Sequence, residues 1–461
     1  MESHTVQSEQ AATVESQNAS PNPKHAQVSK EAAEAAVPRD EVLENFRRMI
    51  VLGSPYATGT LPLPPSDFVL FYTTEAGETR SLDLAQASVE QLEQLADACA
   101  PATFGRGQQD VLDESYRRAG KMDSSQFTTR IVPERTELLD VVRDELLEGE
   151  QSKRLIICEL YKLNIYGENA FFKAHIDTPR GTNMFGSLVV IFPTQHEGGN
   201  LIFRTDGQEF NFDAAAALKT VTEPSIAYAT FFSDIEHEVA VVTTGKRVSL
   251  TFNLYFGDIE PGISVSPPTA TPASYDAFCG AVEAMLNNDD VFPNGITLAF
   301  PMRHVYPVKL SDNREYLSHV HKILKGPDAM VHSVFETLGF QPRVYMFYHM
   351  RGFGGQVKFF IRRPLVFPPW ASQVEVSEEL VREWGGIVVR GSGPDEDRPL
   401  GWPRSRPDEE VYWVSPPKIA LEKQTFLAYG NQACMGYAYR SLYIVVRIGP
   451  AGKRMEFKTW V

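Results

Sequence analysis

From Arg154 to Phe256 the chain alternates short apolar runs with Gly, Pro, Asn and Asp. The segments "RLIICELYKLNIYG", "SLVVIFP", "NLIFRT", "SIAYATFF", "EVAVVTT" and "RVSLTFNLYF" have the length and the β-branched and aromatic content of strands, and turn residues separate them. Many short strands at this spacing predict a sandwich or jelly roll. Ahead of them the period changes to that of helices. "DEVLENFRRMIVLG", "SVEQLEQLADACA" and "RTELLDVVRDELLEG" place apolar residues on one helical face, the last closing on Gly149 as a predicted C-cap, and "DFVLFYTT" reads as a strand.

These patterns divide the chain. Residues 1–38 hold almost no large apolar side chain, cannot offset their ordering entropy, and are expected to be disordered. Residues 39–150 form a helical and β lead-in, 151–258 the β core, and 259–275, around "EPGISVSPPTATPAS", a linker. Residues 276–461 mix helix and strand patterns, an α+β region of unknown role.

Composition narrows the function classes. With 461 residues, 43% hydrophobic, the chain can bury a sizeable core. A net charge of -15, with no Lys/Arg block, argues against a general grip on nucleic acid or on an anionic membrane. The four cysteines lie far apart without a CxxC, so neither a zinc knuckle nor a disulfide framework is expected. No basic n-region with an apolar core opens the chain, and no run of 18 apolar residues follows; the expectation is a cytoplasmic or nuclear protein that is not secreted.

The candidate chemistry starts at "FFKAHIDTPRGTNMFGS". In an extended segment His175 and Asp177 point to the same side and can grip one object together, which is half of a metal site. A mononuclear iron site of the two-histidine, one-carboxylate kind needs one more ligand on a neighbouring strand. His237, at the start of the run "EHEVAVV", is the best placed. In the strand that follows, Arg247, Ser249, Thr251 and Asn253 alternate with Val248, Leu250, Phe252 and Leu254. One face therefore carries four polar groups, and an Arg fork beside a hydroxyl suits a carboxylate. His196, two residues before a Gly-Gly turn, reads as a solvated turn residue.

The set "HID", "EHE" and "KRVS", with an Arg ten residues after the second His, resembles the Fe(II)- and 2-oxoglutarate-dependent dioxygenases, in particular their prolyl 4-hydroxylase-like branch. "YGENAFFKAH" places Tyr166 nine residues before the first ligand, as the YG element of that branch does, and "HEGGNLIF" is similar to its GGxL turn. The wider frame from about residue 60 to 450 also looks like a group of fungal proteins carrying this domain. The resemblance implies a double-stranded β-helix (jelly-roll) core with flanking helices. It implies Fe(II) held by His175, Asp177 and His237, and 2-oxoglutarate held by Arg247 with Ser249 or Thr251 and with Tyr166 nearby. It further implies O2 as co-substrate, ascorbate as a supportive reductant, and hydroxylation of a protein, peptide or small-molecule substrate. Because Asp177 is present, hydroxylation is expected rather than halogenation.

Overall fold

The computed structural model describes residues 39–457 apart from 51–53, 107–108, 148, 178–179, 182, 206, 258–272, 307, 310–315, 353–354, 363–384, 392–408, 416–436 and 439–441. The segment expected to be disordered, 1–38, and nearly all of the expected linker lie outside the described residues.

Two antiparallel sheets share one core. The strands that matter for the site are β1 (Tyr56–Pro62), β2 (Ile156–Tyr166), β3 (Phe171–His175), β4 (Met184–Ile191), β5 (Leu201–Thr205), β6 (Gln208–Phe212), β7 (Ser225–Phe232), β8 (Glu236–Val239) and β9 (Arg247–Phe256). The larger sheet runs β1, β7, β4, β9, β2 and then two short strands, Gly120–Asp123 and Ala100–Pro101. The smaller runs β6, β5, β8, β3 and the short strand Arg117–Arg118. This is a jelly-roll arrangement, and its apolar faces meet in one cluster that includes Leu188, Val190, Phe203, Phe172, Leu250 and Phe252. Burying such faces is the main driving force for stacking two sheets.

The central strands are covered on both sides. Every residue of β4 is buried, which is why "MFGSLVVI" reads as a continuous apolar run rather than an alternation. In β9 the polar positions are mostly buried too: Arg247 and Ser249 are each 1% exposed and Asn253 3%, with Thr251 half-buried. The polar face of this strand therefore points into the protein.

Helices close the lead-in around this core. The helix Val89–Asp97 opens with a capping box in which Ser88 Oγ accepts from the Gln91 N–H and Gln91 Oε1 accepts from the Ser88 N–H. The expected Gly149 C-cap is a correction: that helix spans Leu138–Leu146 and leaves the helical path at Leu147, which is extended at φ -100°, ψ 137°. Leu147 is 2% exposed, so core packing sets where the helix ends, and Arg143 Nη1 ties the following segment back by donating to the carbonyls of Ser152 and Arg154. The run "EVAVVTT" also divides, its second half (Val242–Gly245) pairing with His196–Gly198 outside both large sheets.

The C-terminal region builds a closed six-stranded barrel from β10 (Ile296–Pro301), β11 (Arg343–Gly352), β12 (Gly355–Ile361), β13 (Ile387–Gly391), β14 (Glu409–Trp413) and β15 (Leu442–Ile448). Helices α1 (Arg39–Ile50), α2 (Ala273–Asn287) and α3 (Gly326–Thr337) pack on it. Helix α1 thus belongs to the C-terminal core although it comes first in the chain, with Phe46 edge-on to Phe278 at 5.4 Å.

The two cores meet at a buried polar cluster. The Asp234 carboxylate accepts from Lys325 Nζ at 2.8 Å, His304 Nδ1 at 3.1 Å and the Val305 N–H at 2.8 Å. Asp328 beside it accepts from the N–H groups of Arg303 and His304 and from the Tyr306 hydroxyl. Burial alone would push the Asp234 carboxyl up, but Lys325 and His304 hold it well below the usual carboxylate range.

Candidate metal centre

Strand register brings the candidate ligands together. His175, the last residue of β3, pairs across the sheet with His237 of β8, and their rings lie 4.2 Å apart. Asp177 follows just beyond the end of β3. The three side chains are buried, at 4%, 3% and 4% exposure for His175, Asp177 and His237, and one ligand atom from each lies within 4.8 Å of the others. Among the described residues they form the only such group of His, Cys, Asp or Glu.

The imidazoles are oriented by their own strands. Nδ1 of His175 lies 2.9 Å from the Lys173 carbonyl and Nδ1 of His237 2.9 Å from the Ile235 carbonyl. A carbonyl only accepts, so each Nδ1 carries a proton, the orientation that turns Nε2 toward the centre as the ligand atom of a neutral ring. Phe172 stacks on His175 at 3.6 Å and Phe231 lies 4.5 Å from His237, which limits ring rotation. Ser187, in the middle of β4, donates to Asp177 Oδ2 at 2.6 Å. Asp177 Oδ1 lies 3.8 Å from His237 Nε2, a separation too long for a hydrogen bond.

A polar floor extends from this centre. β2 and β9 pair Tyr166 with Arg247, Asn164 with Ser249 and Lys162 with Thr251, so these residues share the inward face. All six line the cavity that also contains the three candidate ligands. Arg247 Nη1 donates to Ser249 Oγ at 3.1 Å, and the guanidinium lies 5.5 Å from the Tyr166 ring. Among the described residues Arg247 Nε and Nη2 have no hydrogen-bond partner. Burial of this cation lowers its pKa to about 10. Thr251 Oγ1 accepts from Asn164 Nδ2 at 3.2 Å, and Asn164 Oδ1 accepts from Arg117 Nη2 at 2.8 Å.

Gly199 makes room for this floor. Its φ of +70° favours glycine, and a Cβ there would stand 2.8 Å from Arg247 Cδ and from Val242 Cγ2. The Gly-Gly turn thus has a steric reason next to the guanidinium.

Every residue expected at the site from sequence reaches the cavity. His196 needs correction: it is 6% exposed rather than solvated, its Nδ1 lies 2.7 Å from the Thr194 carbonyl, and burial lowers its pKa. It has no place in the metal cluster. The sequence reading missed Ser187, Arg117, Tyr161, Lys162 and Asn164. For Lys162 and Asn164 the signal was available, since "YKLNIY" alternates on the same period as the strand beginning at Arg247. Ser187 was a lone hydroxyl inside an apolar run.

One comparison, with a family model, agrees with the class that this site suggests. Residues 161–255 match the model of the 2OG-Fe(II) oxygenase superfamily. The chain carries a 2OG-Fe(II) oxygenase domain and is a dioxygenase of that class. Among solved structures it is similar to a Pseudomonas putida prolyl-4-hydroxylase, at 18% identity over 47% of this chain and 100% of that one, with a TM-score of 0.26. A prolyl hydroxylase from Trichoplax adhaerens, solved with a hypoxia inducible factor peptide fragment, is similar at 13% identity over 51% of this chain and 94% of that one, TM-score 0.25. A viral collagen prolyl hydroxylase from Paramecium Bursaria Chlorella virus-1 is similar at 11% identity over 44% and 96%, TM-score 0.23. No curated protein matches. No helix among the described residues is long and apolar enough to cross a membrane.

Proposed function

We propose that the protein is an Fe(II)- and 2-oxoglutarate-dependent hydroxylase of prolyl 4-hydroxylase type, acting on a protein or peptide through a double-stranded β-helix core. The observation that carries this reading is the pairing, in one cavity, of a buried two-histidine, one-carboxylate group with a buried guanidinium that has two unpartnered nitrogens. The donor set suits a divalent iron with open positions. A buried cation lacking a counter-charge suits a carboxylate. Both features fit the metal and the 2-oxo acid that this class of enzyme uses.

In this reading His175 and His237 present Nε2, and Asp177 presents Oδ1, to the metal. Ser187 holds the far carboxylate oxygen, so the ligand keeps one orientation. Arg247 takes the distal carboxylate of 2-oxoglutarate through Nε and Nη2, with Ser249 Oγ fixing the guanidinium, Thr251 on the same floor and Tyr166 walling one side. When bound, iron and 2-oxoglutarate supply the chemistry in which O2 converts the 2-oxo acid to succinate and CO2 while a substrate C–H becomes C–OH. The residues of the chain position these groups, and Phe172, Phe231, Leu201 and Val239 line the cavity with apolar surface that limits water near them. Ascorbate, in this scheme, keeps the metal reduced between turnovers.

The test is succinate formation from 2-oxoglutarate with Fe(II) and ascorbate in air, compared between wild type and His237→Ala, together with iron content after anaerobic loading. Succinate from the wild type alone is expected. Retained turnover in Asp177→Ala would refute the ligand assignment. A wild type that binds neither iron nor 2-oxoglutarate would instead favour a non-catalytic jelly-roll module.

A further inference from the structure

Lys162 is an ionisable side chain on the cavity wall that the scheme above leaves unused. It is 2% exposed, and it faces the same side as Asn164 and Tyr166, opposite Thr251. Among the described residues its Nζ has no hydrogen-bond partner; Asp123 Oδ1 is 3.9 Å away, on a side chain 52% exposed that also pairs with Lys121. The other charges near it are cationic: Lys121, Arg117 and Arg180. Burial first, then those cations, lower its pKa to about 8. A buried ammonium whose nearest anion stands 3.9 Å away on a half-exposed side chain is poorly compensated.

Its surroundings point to what would relieve it. The β-bulge between Leu160 and Lys162 turns Tyr161 into the cavity wall as well, with the Lys162 ammonium 4.5 Å from its ring. On the same ring lies the Arg180 guanidinium, 3.8 Å from the centroid, which also donates to the Tyr161 hydroxyl. Arg180 is exposed, so the cationic character runs from the buried Lys162 outward to the surface in a chain whose net charge is -15. Lys162 and Arg247 are separated by four residues of paired strand, roughly 13 Å along the sheet. The two cations therefore stand at different levels of one floor, and the level of Lys162 is nearer that of Ser187, where Asp177 is tethered.

We propose that Lys162 forms a second carboxylate-binding position in this cavity, separate from Arg247, for the metal-proximal carboxylate of the 2-oxo acid or a carboxylate of the substrate. The inference rests on the function proposed above. An acidic group entering at this level gains a charge-assisted hydrogen bond with Nζ, closer than the 3.9 Å contact that Asp123 offers. Arg117 plays a different part: it is bonded to Thr103 and Asn164 and lies 4.3 Å over Phe172, so it holds the wall that supports His175.

The experiment uses the full chain loaded with Mn(II) under anaerobic conditions, comparing wild type, Lys162→Met and Lys162→Arg. Calorimetry measures 2-oxoglutarate and 2-oxobutanoate, which lacks the distal carboxylate; relaxation of acetate methyl protons by Mn(II) is then measured with 2-oxoglutarate saturating. If the site takes the 2-oxo acid, Lys162→Met weakens both 2-oxo acids by the same factor, at least about tenfold, and Lys162→Arg restores much of it. If it takes the substrate, 2-oxo acid binding is unchanged and the acetate effect is lost in Lys162→Met alone. From pH 7 to 9 the protonated fraction of a lysine titrating at about 8 falls about tenfold, so whichever binding depends on Lys162 should fall alike in wild type and hold in Lys162→Arg. Should Lys162→Met not fold, Lys162→Gln carries the same comparison. Identical behaviour of all variants with both probes overturns the inference and leaves Lys162 as a partner of Asp123. A wild type that fails to bind 2-oxoglutarate overturns the preceding function as well.

Discussion

Replacing Arg247 by methionine separates a functional cation from a structural one. The guanidinium is 1% exposed, bonded only to Ser249 among the described residues, with Nε and Nη2 unpartnered. A carboxylate seated there adds two charge-assisted hydrogen bonds, each worth about 1.5–3 kcal/mol. Their loss should weaken 2-oxoglutarate binding by roughly 10² to 10⁴-fold. Stability should move the other way, because exchanging an unpaired buried charge for an apolar side chain is neutral or stabilising by about 1–4 kcal/mol. Thermal unfolding of the metal-free protein should therefore hold its midpoint or rise by several degrees, at about 2–4 °C per kcal/mol for a domain of this size. The midpoint increase that 2-oxoglutarate gives to Mn(II)-loaded wild type should vanish in Arg247→Met. Unchanged 2-oxoglutarate affinity in the variant, or a metal-free midpoint that drops by about 10 °C or more, would show that Arg247 is satisfied within the fold and is not the carboxylate site.

Other outcomes follow from the same geometry. Ser187→Ala removes the 2.6 Å bond to Asp177 and should lower metal affinity by about 10–100-fold, measured by Mn(II) titration; equal affinity would mean that Asp177 is oriented by other contacts. Lys325→Met leaves the buried Asp234 carboxylate short of its closest cation and should destabilise the protein by about 3–5 kcal/mol in urea unfolding, with part of the loss recovered when Asp234→Asn is added. His332 is 8% exposed, and burial with His321 nearby lowers its pKa to about 4. Between pH 4 and about 6.5 the unfolded chain binds the extra proton, so stability is lost as pH falls through that window and the loss is complete below it. Comparing urea midpoints at pH 7.5 and 4.5, His332→Gln should remove about 2–3 kcal/mol of acid sensitivity, and an unchanged difference would exclude His332 as its source.

Local pattern marked most of the strands of the β core. β-branched and aromatic content between turn residues marked Ser225–Phe232, and period-two alternation marked Arg247–Phe256, because successive side chains of a strand point to opposite faces. His175, Asp177, His237 and Arg247 were legible through the resemblance of their motifs to a known family, since alternating polar and apolar positions alone equally describe a strand with a solvent face. Tertiary structure decided the rest. Only pairing of β3 with β8 brings His237 to His175, since residues 62 apart in sequence meet through register, which no single segment encodes. Only burial turned the polar face of β9 inward and left Arg247 Nε and Nη2 and Lys162 Nζ without hydrogen-bond partners among the described residues. Helix α1 joined the core of the barrel rather than that of its sequence neighbours, and Leu147 rather than Gly149 ended its helix, because packing energy outweighs local capping preference when an apolar side chain can be buried.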